Sequence, residues 1–172
     1  MPSRQQDSKK VALVTPVMQN IAASLSAADQ TIAVAESSTA GLISATLLAV
    51  PGASAYYKGG SVIYTLDSRK KILGITSGDV EGLEPLTEAM VMAFAKKARQ
   101  QLGSTWGIAE LGVAGPTGAV YGHAAGISVL AIDGPTALTT TVTTGSSDRE
   151  ENMWAFTQAA IELLAKALGC TP

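Results

Sequence analysis

Two adjacent serines lie in the segment of the chain whose residue types best suit a catalytic nucleophile. Residues 35–41 read AESSTAG, so Ser37, Ser38 and Thr39 directly follow a run of apolar residues. A serine at the carboxyl end of a buried strand lies where open α/β sheets form their sites. The amide groups that begin a following helix bind an anion or a developing oxyanion. The segment is therefore compatible with a serine nucleophile, and equally with a serine that only caps the helix.

A serine nucleophile needs a group that accepts its proton. The chain has a single histidine, His123, in a glycine-rich segment, and one histidine beside one serine does not make a triad, so we expect an exposed loop residue. A tyrosine or a lysine is the other option. The candidates follow the serine segment within one strand-and-helix unit, and they are Lys58, Tyr64, Lys70 and Lys71. Tyr64 ends a predicted strand and would open into the same crevice, although tyrosine is also a common strand residue.

Two further segments could bind a ligand. Residues 112–118 read GVAGPTG, which lacks the final lysine of a phosphate-binding P-loop and the full spacing of a dinucleotide fold. Alone, this segment predicts only a shaped loop. Asp148 and Arg149 begin the last predicted helix. Arg149 would hold a phosphate or a carboxylate, or it is a surface residue in a capped first turn.

The composition restricts the kind of site. The 172 residues include 12 basic and 14 acidic ones, a formal charge of −2 that provides no broad cationic surface, so we expect no nucleic-acid partner. One histidine and one cysteine, Cys170, cannot form an internal disulfide or a His/Cys metal site. We therefore expect no metal. The 47% share of apolar residues excludes a disordered chain.

The chain has the length of one ordinary domain. We expect residues 1–10 to form a flexible polar tail and residues 11–172 to form a single domain. No stretch is long and apolar enough to cross a bilayer, and the first residues lack the apolar block of a secretory signal. We therefore expect a cytoplasmic protein without a membrane partner.

Alternating helices and strands would position these segments. Hydrophobic periodicity predicts helices at residues 13–25, 37–49, 67–73, 85–102 and 147–168, the last with a capping box at residues 147–150. Strands are predicted at residues 31–35, 60–65, 106–113, 127–132 and 138–144. The short turn at residues 133–135 makes the last two strands an antiparallel hairpin. This order predicts a layered α/β domain with a mixed sheet.

With these segments in this order, the chain resembles the C-terminal domain of the CinA (competence/damage-inducible protein A) family. The resemblance covers about residues 12–168, and its blocks are residues 35–42, 50–60, 64–75, 112–118 and 148–150. It implies a three-layer α/β/α fold with a mixed sheet, in a homo-oligomer that is most often a dimer. It also implies a nicotinamide mononucleotide amidohydrolase, which forms nicotinic acid mononucleotide and ammonia from a small-molecule substrate without metal or cofactor.

The resemblance also implies roles for individual residues. The family nucleophile falls on Ser37, its tyrosine on Tyr64, and its general-base lysine on Arg69. The residues expected to bind substrate are Ser38, Thr39, Gly41, Gly115, Thr117 and Arg149. The family usually has cysteine at the position of Ser38, glycine at Ala40 and asparagine at Leu66.

The arginine at position 69 is the departure with the largest chemical consequence. A guanidinium stays protonated at ordinary pH, so it cannot accept the proton of a serine as a lysine of lowered pKa can. Either Lys70 substitutes through a local shift, or the chemistry differs and the substrate is another amide, or the amidase reaction is lost. In the last case the domain is a catalytically weak or inactive nucleotide-binding or regulatory module of the same fold.

Overall fold

The computed structural model describes residues 13–170, in which five strands form one sheet. The strands are β1 (Ile32–Glu36), β2 (Tyr57–Val62), β3 (Trp106–Val113), β4 (Ile127–Asp133) and β5 (Leu138–Thr143). The helices are α1 (Pro16–Ala27), α2 (Leu42–Leu48), α3 (Leu66–Lys71), α4 (Glu88–Leu102) and α5 (Arg149–Leu168). The tail predicted at residues 1–10 lies outside the described residues.

The sheet is mixed, in the order β2-β1-β3-β4-β5. Strand β1 pairs in parallel with β2 and β3, whereas β3–β4 and β4–β5 are antiparallel. The predicted hairpin of the last two strands and the mixed sheet are both confirmed. The parallel half places the carboxyl ends of β1 and β2 at the same end of the sheet, which is where the segments with reactive residues begin.

Helices cover both faces of the sheet, as the three-layer prediction requires. Ile32 and Val34 of β1 pack in a core with α1, α2 and α5. Ala33 and Ala35 point the other way, into a second core that contains α4. Because side chains alternate along a strand, a strand buried on both faces is apolar throughout, and this is why β1 shows no polar alternation.

Three helix starts differ from the prediction because threonine and aspartate caps decide them. Helix α1 begins at Pro16 after the cap Thr15, not at residue 13, and α4 begins at Glu88 after the cap Thr87, not at residue 85. Helix α5 is capped by Asp148, whose side chain accepts from the Glu151 amide. The capping box predicted at residues 147–150 is therefore wrong by one residue.

Strand β2 begins earlier than predicted, at Tyr57, and ends at Val62. The predicted strand began at Gly60 and left out residues 57–59. Glycine is needed at position 60, since a Cβ atom there would lie 2.5 Å from the Tyr57 hydroxyl. Tyr64 consequently lies two residues beyond the strand, and Thr65 then caps α3. The prediction that Tyr64 ends the strand is wrong.

Candidate active site

A cavity of about 310 Å³, here called the serine cleft, opens at the carboxyl end of β1. It is lined by seven of the nine residues predicted for the site: Ser37, Ser38, Tyr64, Arg69, Gly115, Thr117 and Arg149. Gly112 and Tyr121 also line it. The expectation that Ser37 and Tyr64 open on one crevice is thus confirmed. Thr39 and Gly41 do not line the cleft, because Thr39 is fully buried beneath it and Gly41 begins α2.

The serines form a loop between β1 and α2, and neither of them caps the helix. Helix α2 starts only at Leu42, and its N-cap is Gly41 in a left-handed conformation with φ of 101°. The preceding Ala40 is also left-handed, with φ of 53°. This conformation is costly for any residue with a Cβ atom. The predicted helix start at Ser37 and the capping role of Ser37 or Ser38 are therefore wrong.

The buried carboxylate of Glu110 on β3 holds the serine loop. Its Oε2 accepts from the amides of Ser37 and Thr39, at 3.0 and 3.1 Å. Its Oε1 accepts from the hydroxyl of Ser38 at 2.5 Å and from that of Ser128 at 3.1 Å. Glu110 is completely buried, so these donors replace the water that a carboxylate otherwise requires.

A second buried carboxylate, Glu36, lies beside the first, since Glu36 and Glu110 are register partners in the sheet. Glu36 accepts from the amides of Ile43 and Ser44, at 3.1 and 3.0 Å. The hydroxyl oxygen of Thr39 lies between the two carboxylates, 2.8 Å from Glu36 and 3.1 Å from Glu110. Most amides expected to bind an oxyanion are thus occupied by carboxylates, which corrects that expectation.

Gly112 makes room for the contact between Ser38 and Glu110. A Cβ atom at this position would collide with the Ser38 hydroxyl and would lie 2.6 Å from Glu110 Oε1. A side chain there would push the serine loop off its anchor. The glycine-rich segment at residues 112–118 therefore shapes the cleft from below as well as lining it.

Two polar groups of the serine loop stay free. Among residues 13–170, the Ser37 hydroxyl and the Ser38 amide have no hydrogen-bond partner, although both residues line the cleft. Ser37 and Ser38 are only 4% and 2% exposed. We call residues 37–39 with Glu36 and Glu110 the buried wall of the serine cleft. Its free groups are a hydroxyl and the amide that follows it.

The opposite side, here called the open wall, consists of Tyr64, Arg69 and Arg149. Arg149 donates through Nη1 to the Gly115 carbonyl, at 2.6 Å, and through Nη2 to the Tyr64 hydroxyl, at 3.3 Å. Tyr64 is 56% exposed. The contact joins α5 to the loop before α3, so residues far apart in sequence meet at the mouth of the cleft.

Arg69 is held as a cation between the cleft and the core. Its Nε donates to the Ile63 carbonyl at 3.4 Å, and its guanidinium lies 5.5 Å from the centre of the Phe94 ring. Burial lowers the pKa of Arg69, while the charges of Tyr121 and Glu110 act to raise it. Arginine starts from so high a pKa that the group remains protonated at neutral pH. It can bind an anion here.

The other proposed proton acceptors lie outside the serine cleft. Lys58 donates to the carbonyls of Leu102 and Gly103 at the end of α4, and Lys71 pairs with Asp67. Lys70 lines a neighbouring cleft. His123 is half-buried and packs edge-to-face on Tyr121 with 5.7 Å between ring centres, so the prediction of an exposed loop residue is wrong.

Sequence reasoning missed Glu36 and Glu110, the two carboxylates whose hydrogen bonds hold the serine loop. A signal for both existed, since each places a charge in an otherwise apolar strand, and fully buried glutamates are rare unless they are paired. Their pairing across the sheet depends on the register of β1 and β3, which no local pattern specifies.

Within residues 13–170, no group of three or more His, Cys, Asp or Glu side chains is arranged to hold a metal ion. None of the helices in this range could span a membrane.

Comparison with known families gives a match to the model of the CinA C-terminal domain over residues 14–168. Among curated proteins, the CinA-like protein of Anaeromyxobacter dehalogenans is 32% identical over 148 residues, which are 86% of this chain and 36% of that protein. The CinA-like protein of Parasynechococcus marenigrum is 38% identical over 115 residues, 67% of this chain and 27% of that protein. The chain therefore spans only about a third or less of the length of these relatives.

Solved structures agree with the fold. The competence-damaged protein (CinA) superfamily protein of Enterobacter cloacae superposes with a TM-score of 0.81 at 25% identity, covering 97% of this chain and 99% of that one. The competence/damage inducible protein of Agrobacterium tumefaciens gives a TM-score of 0.79 at 26% identity, covering 89% and 93%. The α/β architecture predicted from the sequence is thus that of known structures.

Proposed function

The chain belongs to the CinA C-terminal domain family, and from this premise we propose that it is an amidohydrolase with a serine nucleophile. Its substrate would be nicotinamide mononucleotide or a similar carboxamide, and its products nicotinic acid mononucleotide and ammonia. We further propose that it acts in the cytoplasm on this small molecule as a homo-oligomer, in the first place a dimer. Light scattering during size-exclusion chromatography would measure the oligomer.

The observation that carries the proposal is the free hydroxyl of Ser37 in the serine cleft. Ser37 Oγ would form a bond to the carboxamide carbon, and the negative charge would develop on the carboxamide oxygen. The unpaired amide of Ser38 is the available donor for that oxygen, since an amide next to the nucleophile is a common oxyanion donor. The hydrogen bonds from the Ser37 and Thr39 amides to Glu110 would keep the Ser37 hydroxyl and the Ser38 amide in place.

The open wall would supply the remaining roles. Arg149 and Arg69 place two cations at the cleft, where they suit the 5′-phosphate of the substrate. Tyr64 would carry the proton from Ser37 to the leaving nitrogen, so that ammonia departs and an ester of Ser37 remains. Water then cleaves this ester, which returns the proton to Ser37 and releases the acid.

Arg69 limits the rate that this proposal allows. A permanently protonated guanidinium cannot accept the serine proton, and loss of a general base costs about 10²–10⁴-fold in rate. We therefore expect slow deamidation of nicotinamide mononucleotide, together with intact binding. Arg69→Lys should raise the rate.

The test is ammonia release from nicotinamide mononucleotide by the natural chain, Arg69→Lys and Ser37→Ala, side by side. Ser37→Ala should abolish the reaction. Ser54→Ala is the matched control, since Ser54 is exposed on a turn at the far end of the sheet. If Ser37→Ala keeps the activity of the natural chain, Ser37 is not the nucleophile. If the natural chain is fast and Arg69→Lys does not improve it, another residue, with Lys70 first, is the base.

A second candidate function is a nucleotide-binding or regulatory module without turnover. The contacts of Arg69 favour it, because the guanidinium is fixed between the Ile63 carbonyl and the Phe94 ring as a binding group. Calorimetry separates the two functions. Binding of nicotinamide mononucleotide with no ammonia release from either the natural chain or Arg69→Lys would identify the module.

A further inference from the structure

We propose that the substrate of this site is an anionic amide with an apolar arm, and that the arm lies in a second cleft beside the serine cleft. This inference rests on the proposed amidohydrolase function and names the substrate class. The second cavity, here called the apolar cleft, has a volume of about 550 Å³ and is the larger of the two. Both volumes are within the range of ordinary ligand sites.

The two clefts are adjacent. Tyr64, Arg69, Gly112 and Tyr121 line both of them. A ligand whose amide lies at Ser37 would therefore reach the apolar cleft by passing these four residues. This adjacency to the candidate site is why we assign the apolar cleft to the substrate itself.

The lining of the apolar cleft suits an aromatic ring or an aliphatic chain. Its floor is formed by Phe94, Leu86 and Leu111, which belong to the core beneath the sheet. Its rim carries Leu66, which is 72% exposed, and Val120, which is fully exposed. Exposed apolar side chains that surround a cavity indicate a binding surface, because a ligand there removes apolar area from water.

The charge around both clefts selects an anion. Arg69 lies at their border and Lys70 lines the apolar cleft, while Arg149 lines the serine cleft. No aspartate or glutamate from the described part of the chain lines either cavity directly. The carboxylates of Glu36 and Glu110 lie buried beneath the serine loop, where their oxygens already accept hydrogen bonds from amides and hydroxyls. An amide that carries a phosphate or a carboxylate near Arg69 is therefore complementary to the site, and the apolar arm provides the rest of its affinity.

The test measures binding alone, with methyl phosphate and hexyl phosphate as probes of the natural chain in NMR titrations. A fully buried methylene tightens binding about fourfold. With about two thirds of the added arm buried, hexyl phosphate should bind about 100-fold more tightly than methyl phosphate. Hexanol, which lacks the anion, should bind at least about tenfold more weakly than hexyl phosphate.

Ser77→Trp locates the arm. Ser77 is exposed, lines only the apolar cleft, and its side chain makes no hydrogen bond within residues 13–170, so a tryptophan fills the cavity without removing a contact. Hexyl phosphate should then bind no better than methyl phosphate. Ser54→Trp makes the same change at the opposite end of the sheet and should keep the 100-fold preference.

Several outcomes would overturn the inference. They are equal affinity for the two phosphates, no binding of either, or the same loss in Ser77→Trp and Ser54→Trp. Because the titrations need no reaction, they separate this inference from the proposed function. A chain that prefers hexyl phosphate but never releases ammonia from any amide contradicts the function alone, whereas a chain that deamidates but binds both phosphates equally contradicts the arm alone.

Discussion

The two walls of the serine cleft are built in opposite ways. The buried wall holds Ser37 and Ser38, at 4% and 2% exposure, on the carboxylate of Glu110, and Glu36 beside it accepts from Thr39. The open wall consists of long side chains that reach the cleft from solvent, with Tyr64 56% exposed and joined to Arg149 by one bond of 3.3 Å. One wall is part of the folding core, and the other is a surface.

This difference separates stability from binding. Removing one member of a buried hydrogen-bond network lowers the stability of the fold, because its partners stay buried without a hydrogen bond. Exposed polar contacts contribute little to folding. The proposed nucleophile, Ser37, is therefore positioned by residues that the fold needs. The contact between Arg149 and Tyr64 is exposed, so we expect its loss to affect the ligand more than the fold.

The largest loss of stability is expected for Glu110→Ala, which removes the anchor of the buried wall. The variant leaves the buried amide of Thr39 and the buried hydroxyl of Ser38 without an acceptor, at about 1–3 kcal/mol each, so we expect the free energy of unfolding to fall by about 3 kcal/mol or more. Urea denaturation measures it. Glu110→Gln keeps the shape and part of the accepting capacity, and it should lose clearly less. A loss below about 1 kcal/mol in Glu110→Ala would show that the loop does not depend on its anchor.

The open wall was the easier one to find from the sequence. Tyr64 and Arg149 belong to short blocks whose residue types indicate polar chemistry, and Tyr64 was expected to open on the same crevice as Ser37. The contact between them was not predictable in detail, since Tyr64 proved to lie beyond β2, where the cap of α3 begins. A cap changes the chain direction within one residue, which periodicity does not resolve.

Of the buried wall, the serine segment was predicted, whereas the two glutamates that hold it were missed. The serine segment was correctly placed after β1, but its amides were expected to be free. The amides of Ser37 and Thr39 are instead occupied by Glu110, which is 73 residues away from Ser37 in sequence and meets it only through the register of β1 and β3. The layers and the hairpin could be predicted from local sequence patterns. The hydrogen-bond network of Glu110 could not, because it depends on pairing between strands that are distant in sequence.

A smaller effect of opposite sign is expected at Ala40→Gly, also in the buried wall's loop. Ala40 has φ of 53°, a conformation that is unfavourable for alanine by roughly 1–2 kcal/mol and free for glycine. Part of the gain is offset by the greater freedom of glycine in the unfolded chain, so the stability should rise by about 0.5–1 kcal/mol. Ala155→Gly, inside α5, is the control and should lower it by about 1 kcal/mol. Equal losses in both variants would mean that Ala40 carries no strain.

The smallest effect on stability is expected at Arg149→Gln, in the open wall. The variant loses the bonds to Gly115 and Tyr64, which are exposed or only half-buried, but it also removes a cation from the first turn of α5, where the helix dipole disfavours positive charge. These terms oppose each other, so the free energy of unfolding should change by less than about 0.5 kcal/mol. Affinity for nicotinamide mononucleotide should nevertheless fall about tenfold, because a charged bond to the phosphate is lost. Urea denaturation and calorimetry on the same preparation measure both quantities. A stability loss as large as that of Glu110→Ala would erase the distinction between the walls, since the surface that selects the ligand would then also hold the fold.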